Sequence, residues 1–369
     1  MSITIGIIGL AKSGKTTIFN ALTRGKALQG KGTYTTEMAA HVGVAKVPEP
    51  RLKALADMLH PKKVVPAEVG YIDIGATLKS LVKDKGIGGE LLSRLSTVDA
   101  LLNVVRAFKD DSIPHPEGSL NVERDITAMD LELIFSDLAI VERRLERIEV
   151  SLKGAKAAER PPLLHEQQTL LKIKGELGKD VPVRDMKLTP EEARQISNFQ
   201  LLTAKPMLIV VNVGEDQIGQ IVAMETDLSA RYAKGGMRVM ALCGKLEMEL
   251  AQLDEAASQE FRDTYGMKES GLDRIIKQSY DLLGLVSFFT TASGEVRAWT
   301  IQRGTTAVRA AGKIHTDMEK GFIRAEVIAF NDLVKSGSLV EARHRGLLRL
   351  EGKEHIVQDG DVITFLFNV

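Results

Sequence analysis

The nine residues GLAKSGKTT, Gly9 to Thr17, constrain this chain more than any other stretch. Gly9, Gly14, Lys15 and Thr16 stand in the spacing Gly-x4-Gly-Lys-Thr, directly after the β-branched, apolar run Ser2 to Ile8. Helical spacing follows at once, with apolar Ile18, Phe19 and Leu22. Glycines at these points let the backbone close around an anion, while successive N–H groups and the helix N-terminus supply donors. Lys15 adds a cation near the outer phosphates, and the Thr16 hydroxyl can hold magnesium. A strand, a glycine loop and a helix in this order belong to a parallel, doubly wound sheet, and the apolar runs EVGYIDIG, DALLNVVRAF, PMLIVVNV and MRVMAL repeat the strand signal along the chain.

Two stretches have another texture. Between Leu120 and about Gln200, residues Ile134, Leu138, Val141, Leu145 and Ile148 step by alternating fours and threes amid ERRLERIE, the spacing of a coiled-coil seam. After a break at KGAKAAERPP, helical spacing resumes from Leu163 to Leu177. Two antiparallel helices inserted in the sheet domain are the economical reading, and one helix of a larger bundle is the other. After Leu283 come short strands with turns between them, EVRAWTI, GFIRAEVIAF, LLRLEG and VITFLFNV, so a small sheet-rich domain closes the chain. The division expected is residues 1–119 with 201–283 for the sheet domain, 120–200 for the helical insertion and 284–369 for the last domain.

Lysine plus arginine equals aspartate plus glutamate at 49 each, so no global field draws the chain to nucleic acid or membrane. One cysteine, Cys243, excludes an internal disulfide framework and suits a reducing cytoplasm. The start MSITIGIIGL lacks the pattern of a signal peptide, and no apolar run approaches the roughly 20 residues of a membrane span. A cytoplasmic protein without membrane or DNA contact is expected.

A phosphate loop calls for an Asp-x-x-Gly segment at a strand end, whose aspartate holds magnesium through water. YIDIGATLKS supplies Asp73, with Gly75 one residue early and Ala76 in the glycine's place. A base-reading loop is expected as Asn-Lys-x-Asp. LIVVNVGED offers Asn212, Val213, Gly214 and Glu215, without the lysine and with a longer carboxylate arm, which weakens the case for guanine without building one for adenine.

The order of phosphate loop, Asp-x-x-Gly-like segment, Asn-x-x-Glu loop, helical insertion and terminal sheet domain resembles the YchF (Ola) branch of the Obg-related GTPases. The likeness extends through VPEPRLKALADMLHPKKVVPAEV, FQLLTAKP, SGLDRIIKQSYDLLGL, EVRAWTIQRGTTAVRAAGKIHTDMEKGFIRAEVI and LRLEGKEHIVQDGDVITFLFNV, nearly the whole chain. It implies an α/β, doubly wound P-loop NTPase domain with a helical coiled-coil insertion and a C-terminal α+β TGS domain. It also implies use of ATP at least as readily as GTP, with Mg2+, and association with the ribosome or its RNA.

By position, the resemblance puts Lys12, Ser13, Gly14, Lys15, Thr16 and Thr17 around the phosphates and Asn212 and Glu215 at the base. CGKLE brings Cys243 and Gly244 to where the family carries a base loop containing Ser-Ala; a buried strand-end cysteine is the alternative. The family has Asn and Val where this chain has Lys12 and Ser13, and a Cys-Thr-Ile-Glu-Pro segment where it has YTTEMAAH. Counting from the phosphate loop assigns the metal-binding threonine to Thr36, and counting back from VGVAKVPEP assigns it to Glu37; Thr36 is preferred for its hydroxyl. The family lacks the water-orienting glutamine of ordinary GTPases, and its replacement histidine matches His115 in SIPHPEG, with an exposed loop histidine as the alternative.

The last domain is nearly neutral, with 11 lysines and arginines against 10 acidic residues from Gly284 to Val369, and its basic cluster EARHRGLLR reads either as an RNA contact or as a solvated turn. The leading reading is a nucleotide-driven regulator of translation that hydrolyses slowly without a partner. The rivals are a nucleotide-responsive binding protein with little or no hydrolysis, which Ala76 and YTTEMAAH favour, and a small-metabolite kinase, which leaves the terminal domain unexplained.

Overall fold

The structure, a computed structural model, describes residues 3–23, 40–74, 87–292 and 294–368. Six strands form the first sheet: β1 (Ile3–Ile8), β2 (Ala40–Lys46), β4 (Glu68–Ile74), β5 (Ala100–Arg106), β6 (Met207–Asn212) and β7 (Met237–Leu242). Their order across it is β2-β4-β1-β5-β6-β7. Every residue of β5 and β6 is buried, as a strand covered on both faces requires. β1, β5, β6 and β7 run parallel, and the pairings Arg106↔Asn212 and Asn212↔Leu242 align the ends of the last three. Their following loops therefore leave one edge of the sheet, where open α/β sheets place ligands. Ile8, Leu101, Val105, Ile209, Val211 and Val239 share a core with Ile126, Met129 and Leu133 of the long helix Val122–Gly154.

That helix opens the insertion. Asn121 caps it, accepting the Arg124 N–H at 3.0 Å. Helix Arg160–Leu177 packs back on it: the anticipated seam residues Ile134, Val141, Leu145 and Ile148 are buried against Leu170, Ile173 and Leu177, with Leu138 partly covered. Ion pairs Arg144–Glu166 at 2.7 Å and Lys174–Glu142 at 2.9 Å flank the seam. Midway along the long helix, the fully buried Asp137 accepts the N–H groups of Leu202 and Thr203, both at 2.8 Å, and the Thr203 hydroxyl at 2.6 Å. This clamp fixes the chain just before it enters β6. Burial pushes the Asp137 carboxyl up to about 6.

Packing divides the chain into two compact units. The insertion belongs with Thr4–Val44 and the rest of Gly70–Leu272; the other unit joins Ile3, Ala45–Val69 and Asp273–Val369. Its sheet is built from β3 (Lys63–Val65), β8 (Leu285–Thr290), β9 (Glu295–Gln302), β10 (Phe322–Ala329), β11 (Arg349–Glu351) and β12 (Asp361–Phe367), in the order β11-β10-β12-β8-β9-β3. β8 and β9 are antiparallel, as are β10 and β12, whereas β3 joins β9 in parallel. Phe288, Val327, Ile363 and Phe365 form the core with Ala307, Ala310 and Ala311, whose small side chains let helix Ala307–Ile314 lie close to the sheet. Arg51 of helix Pro50–Leu59 reaches Glu49 and Asp359 at 2.6 and 2.8 Å and stands 5.5 Å from the Phe289 ring centre. Among the described residues, no helix is long and apolar enough to cross a membrane.

Candidate nucleotide site

The phosphate loop leaves β1 with Gly9 at φ +146° and closes with Gly14 at φ +96°. A Cβ on Gly14 would lie 2.2 Å from Asn212 Nδ2, so close approach as well as backbone conformation demands glycine there. Lys12 also holds a positive φ, 61°, on an exposed side chain. Lys15 is buried, and its ammonium donates to the Gly9 and Leu10 carbonyls at 3.0 and 2.9 Å. Burial lowers its pKa, against the opposing charges of Asp73 and Glu132.

The Thr16 hydroxyl donates to Asp73 Oδ2 at 2.8 Å. Asp73 is fully buried, and among the described residues nothing hydrogen-bonds its Oδ1. Burial raises its pKa, while the Thr16 bond and the charges of Lys15 and His41 act the other way. A hydroxyl and a carboxylate oxygen lacking a donor are hard ligands, and a Mg2+ that also binds nucleotide phosphates takes few more from protein. The residues fit that ion.

Three loops meet at Asn212, which is 4% exposed. Its Nδ2 donates to the Ser13 carbonyl at 3.0 Å, and its Oδ1 accepts the Gly244 N–H at 2.9 Å. Both ends of the amide are thus engaged by protein. Glu215 is half exposed, and its carboxylate pairs with Lys245 Nζ at 2.8 Å. Val213 and Cys243 both point into the apolar core, where burial pushes the thiol up. Gly244 begins helix Gly244–Leu250. Thr17 is half-buried on helix Lys15–Thr23.

His115 follows β5 in the loop that leads to the long helix. Its side chain is 5% exposed, and Nε2 lies 2.9 Å from Asp125 Oδ2. Nδ1 accepts the Glu117 N–H at 3.1 Å. Ring and carboxylate share with Leu10, Ala11, Ser13, Asn103 and Arg106 a recess too small to admit water.

Lys12 to Thr17, Asp73, Asn212, Glu215 and Gly244 therefore gather around one edge of the sheet, with His115 against the phosphate loop's first turn. Thr36, Glu37, Gly75 and Ala76 lie outside the described residues. In EARHRGLLR, Arg343, Arg345 and Arg349 each face a carboxylate, of Glu326, Glu341 and Glu351 respectively. Sequence reasoning missed Lys245 and Asp125. The first sits inside CGKLE, and the second reads as an acid of a helix's first turn, a position favoured by the helix dipole alone.

The YchF-GTPase_C family profile, described as a protein of unknown function, matches residues 285–368. The chain is 42% identical to the ribosome-binding ATPase YchF of Bacillus subtilis strain 168 and 37% identical to the protein of that name from Escherichia coli O157:H7, each match covering 100% of both chains. It is similar in structure to the YchF GTPase of Schizosaccharomyces pombe, with a TM-score of 0.81 and 29% identity over 99% of this chain and 98% of that one.

Proposed function

Because the chain belongs to the YchF family, we propose that it is a ribosome-associated P-loop NTPase that binds and hydrolyses ATP, with ATP held at least as well as GTP and hydrolysis slow without a partner. The observation that carries this reading is the juxtaposition of buried Lys15, the Thr16–Asp73 bond and the Asn212 tie within one loop cluster. In phosphoryl transfer, catalysis is positioning and charge. Lys15 exchanges its two carbonyls for phosphate oxygens, and loop N–H groups from Lys12 to Thr17 hold the remainder. Thr16 and Asp73, with Thr36, would hold Mg2+, which supplies positive charge to the phosphates when bound. His115 is the group that places the water.

Base preference follows from what is already occupied. A guanine-reading carboxylate must accept from N1–H and the 2-amino group. Glu215 instead has Lys245 on it, and Asn212 already commits one amide N–H to Ser13 and one oxygen lone pair to Gly244. Adenine's 6-amino group then meets a backbone carbonyl near Leu242 to Gly244. The TGS-like character of 284–369, the helical role of 120–200, ribosomal RNA as partner and a cytoplasmic setting belong to the same proposal. Binding without turnover is the second reading, favoured by an imidazole with both nitrogens engaged.

Competition between labelled ATP and unlabelled GTP, together with phosphate release on the full chain, tests the proposal. ATP is expected to bind as tightly as GTP or tighter by about 1 kcal/mol, the scale of one net hydrogen bond. GTP displacing ATP at a tenfold lower concentration overturns the base assignment. Phosphate release that stays at background even with ribosomes selects the second reading.

A further inference from the structure

We propose that Asp125 is the positioning residue of His115: its carboxylate faces the imidazole on the Nε2 side and favours the proton there, so that Nδ1, which accepts the Glu117 N–H in this structure, becomes the ring's acceptor for a water once that local contact is exchanged. The inference deepens the hydrolytic reading and rests on His115 placing the water.

The tautomer follows from the contacts. Nδ1 accepts the Glu117 N–H, so it carries no proton, and the neutral ring's proton sits on Nε2, facing Asp125 Oδ2 at 2.9 Å. Asp125 is itself held. Arg124 donates two bonds to its Oδ1, at 2.9 and 2.8 Å, while Oδ2 faces the imidazole as a close charge contact off the line of the ring N–H and accepts no hydrogen bond among the described residues. The same guanidinium donates to the Ser119 carbonyl at 2.7 Å, the Ser119 hydroxyl at 3.1 Å and the Glu117 carbonyl at 3.4 Å, tying down the loop that carries His115. A carboxylate that fixes an imidazole's tautomer and orientation through one nitrogen prepares the other for proton transfer.

Among the described residues, the charged groups around the ring are few. Asp125 and Arg124 come from the long helix, Arg106 from β5 and Glu117 from the loop itself; Leu10, Ala11 and Ser13 of the phosphate loop bring none. Asp125 is the anion in contact. As the water oxygen bonds to the γ-phosphorus, the bridging P–O bond breaks with its electron pair on the departing diphosphate. The water's proton passes to Nδ1, in exchange for the local Glu117 contact, and the imidazolium formed faces the Asp125 carboxylate.

The test uses the full chain with ATP and compares wild type, Asp125→Asn, Asp125→Glu, His115→Ala and the double variant, alongside the 15N shifts of His115 in the wild type. His115→Ala is expected to lower kcat about 100-fold or more. Asp125→Asn should lower kcat by about 10- to 100-fold with KM little changed, Asp125→Glu should restore part of the loss, and Asp125→Asn should cost nothing further once His115 is gone. The wild-type spectrum should show Nε2 protonated at neutral pH. Full kcat in Asp125→Asn, an equal loss in the His115→Ala background, or an Nδ1-protonated ring in the wild type overturns the proposal. If His115→Ala keeps full kcat, the water-placing role itself falls and takes the positioning role with it. A loss confined to His115→Ala refutes Asp125 alone.

Discussion

Replacing Asn212 with alanine should separate scaffolding from base reading. The side chain joins the Ser13 carbonyl to the Gly244 N–H, and its removal leaves both buried groups without a partner. A buried group stranded in this way costs about 1–3 kcal/mol, so the pair sums to about 2–6 kcal/mol. That cost falls first on the order of the three loops and so on the affinity of whatever they bind; at 1.4 kcal/mol per tenfold, even the lower end of that range should weaken nucleotide binding on the order of 30-fold. Because the amide ties two protein loops through the Ser13 carbonyl and the Gly244 N–H, ATP and GTP should weaken by the same factor. Calorimetric titration of each nucleotide into wild type and Asn212→Ala reads this directly. A shift of the ATP-to-GTP affinity ratio by tenfold or more means that Asn212 contacts the base. Unchanged affinities for both mean that the tie does not organise the site.

Other substitutions probe different parts. Gly14→Ala forces a Cβ to within 2.2 Å of Asn212 Nδ2 at a φ of +96°, and triphosphate binding by a folded variant should fall below detection in calorimetry. The Asp137 carboxyl is raised by burial to about 6, above the unfolded value of about 3.9, so the folded state binds the proton more tightly and this group's contribution to stability declines as pH rises from about 4 to about 6. Asp137→Asn should flatten that part of the curve, and a difference between the two proteins in urea midpoint that stays constant from pH 4 to pH 7 refutes it. Arg51→Met should destabilise the unit containing β8 to β12 by about 1–2 kcal/mol, with a coupling of about 1 kcal/mol to Asp359→Asn in a double-mutant cycle, since the pair is partly exposed. Additive losses show that the ion pair contributes nothing.

Legibility in the sequence follows the range of the interactions. The phosphate loop was readable because its chemistry lies in nine consecutive residues, and the insertion because Ile134, Val141, Leu145 and Ile148 declare a helical face at short spacing. The strands β4 to β7 were readable as apolar runs. The Glu215–Lys245 pair was not, since it joins the ends of two different strands and depends on their register. The same holds for the clasp of Asp125 on His115 and for the return of Ala45–Val69 to the C-terminal unit, which rests on contacts such as Arg51 with Asp359. Val213 shows a subtler limit. The spacing puts Val213 where the base motif carries its lysine, but Val213 is 2% exposed in the apolar core, where an ammonium would be desolvated.

The pairing of β3 with β9 sets a timetable for synthesis. Lys63 finds its partner Glu295 only after some 230 further residues have been made. At roughly 5–20 residues per second, β3 waits on the order of 10 to 50 seconds with its edge unmatched. During that interval the first sheet and the whole helical insertion can leave the ribosome and fold. Ala45–Val69 must stay unclaimed by them. A nascent chain arrested before β9 should therefore carry a protease-sensitive stretch between β2 and β4, and that sensitivity should vanish once the last domain is released.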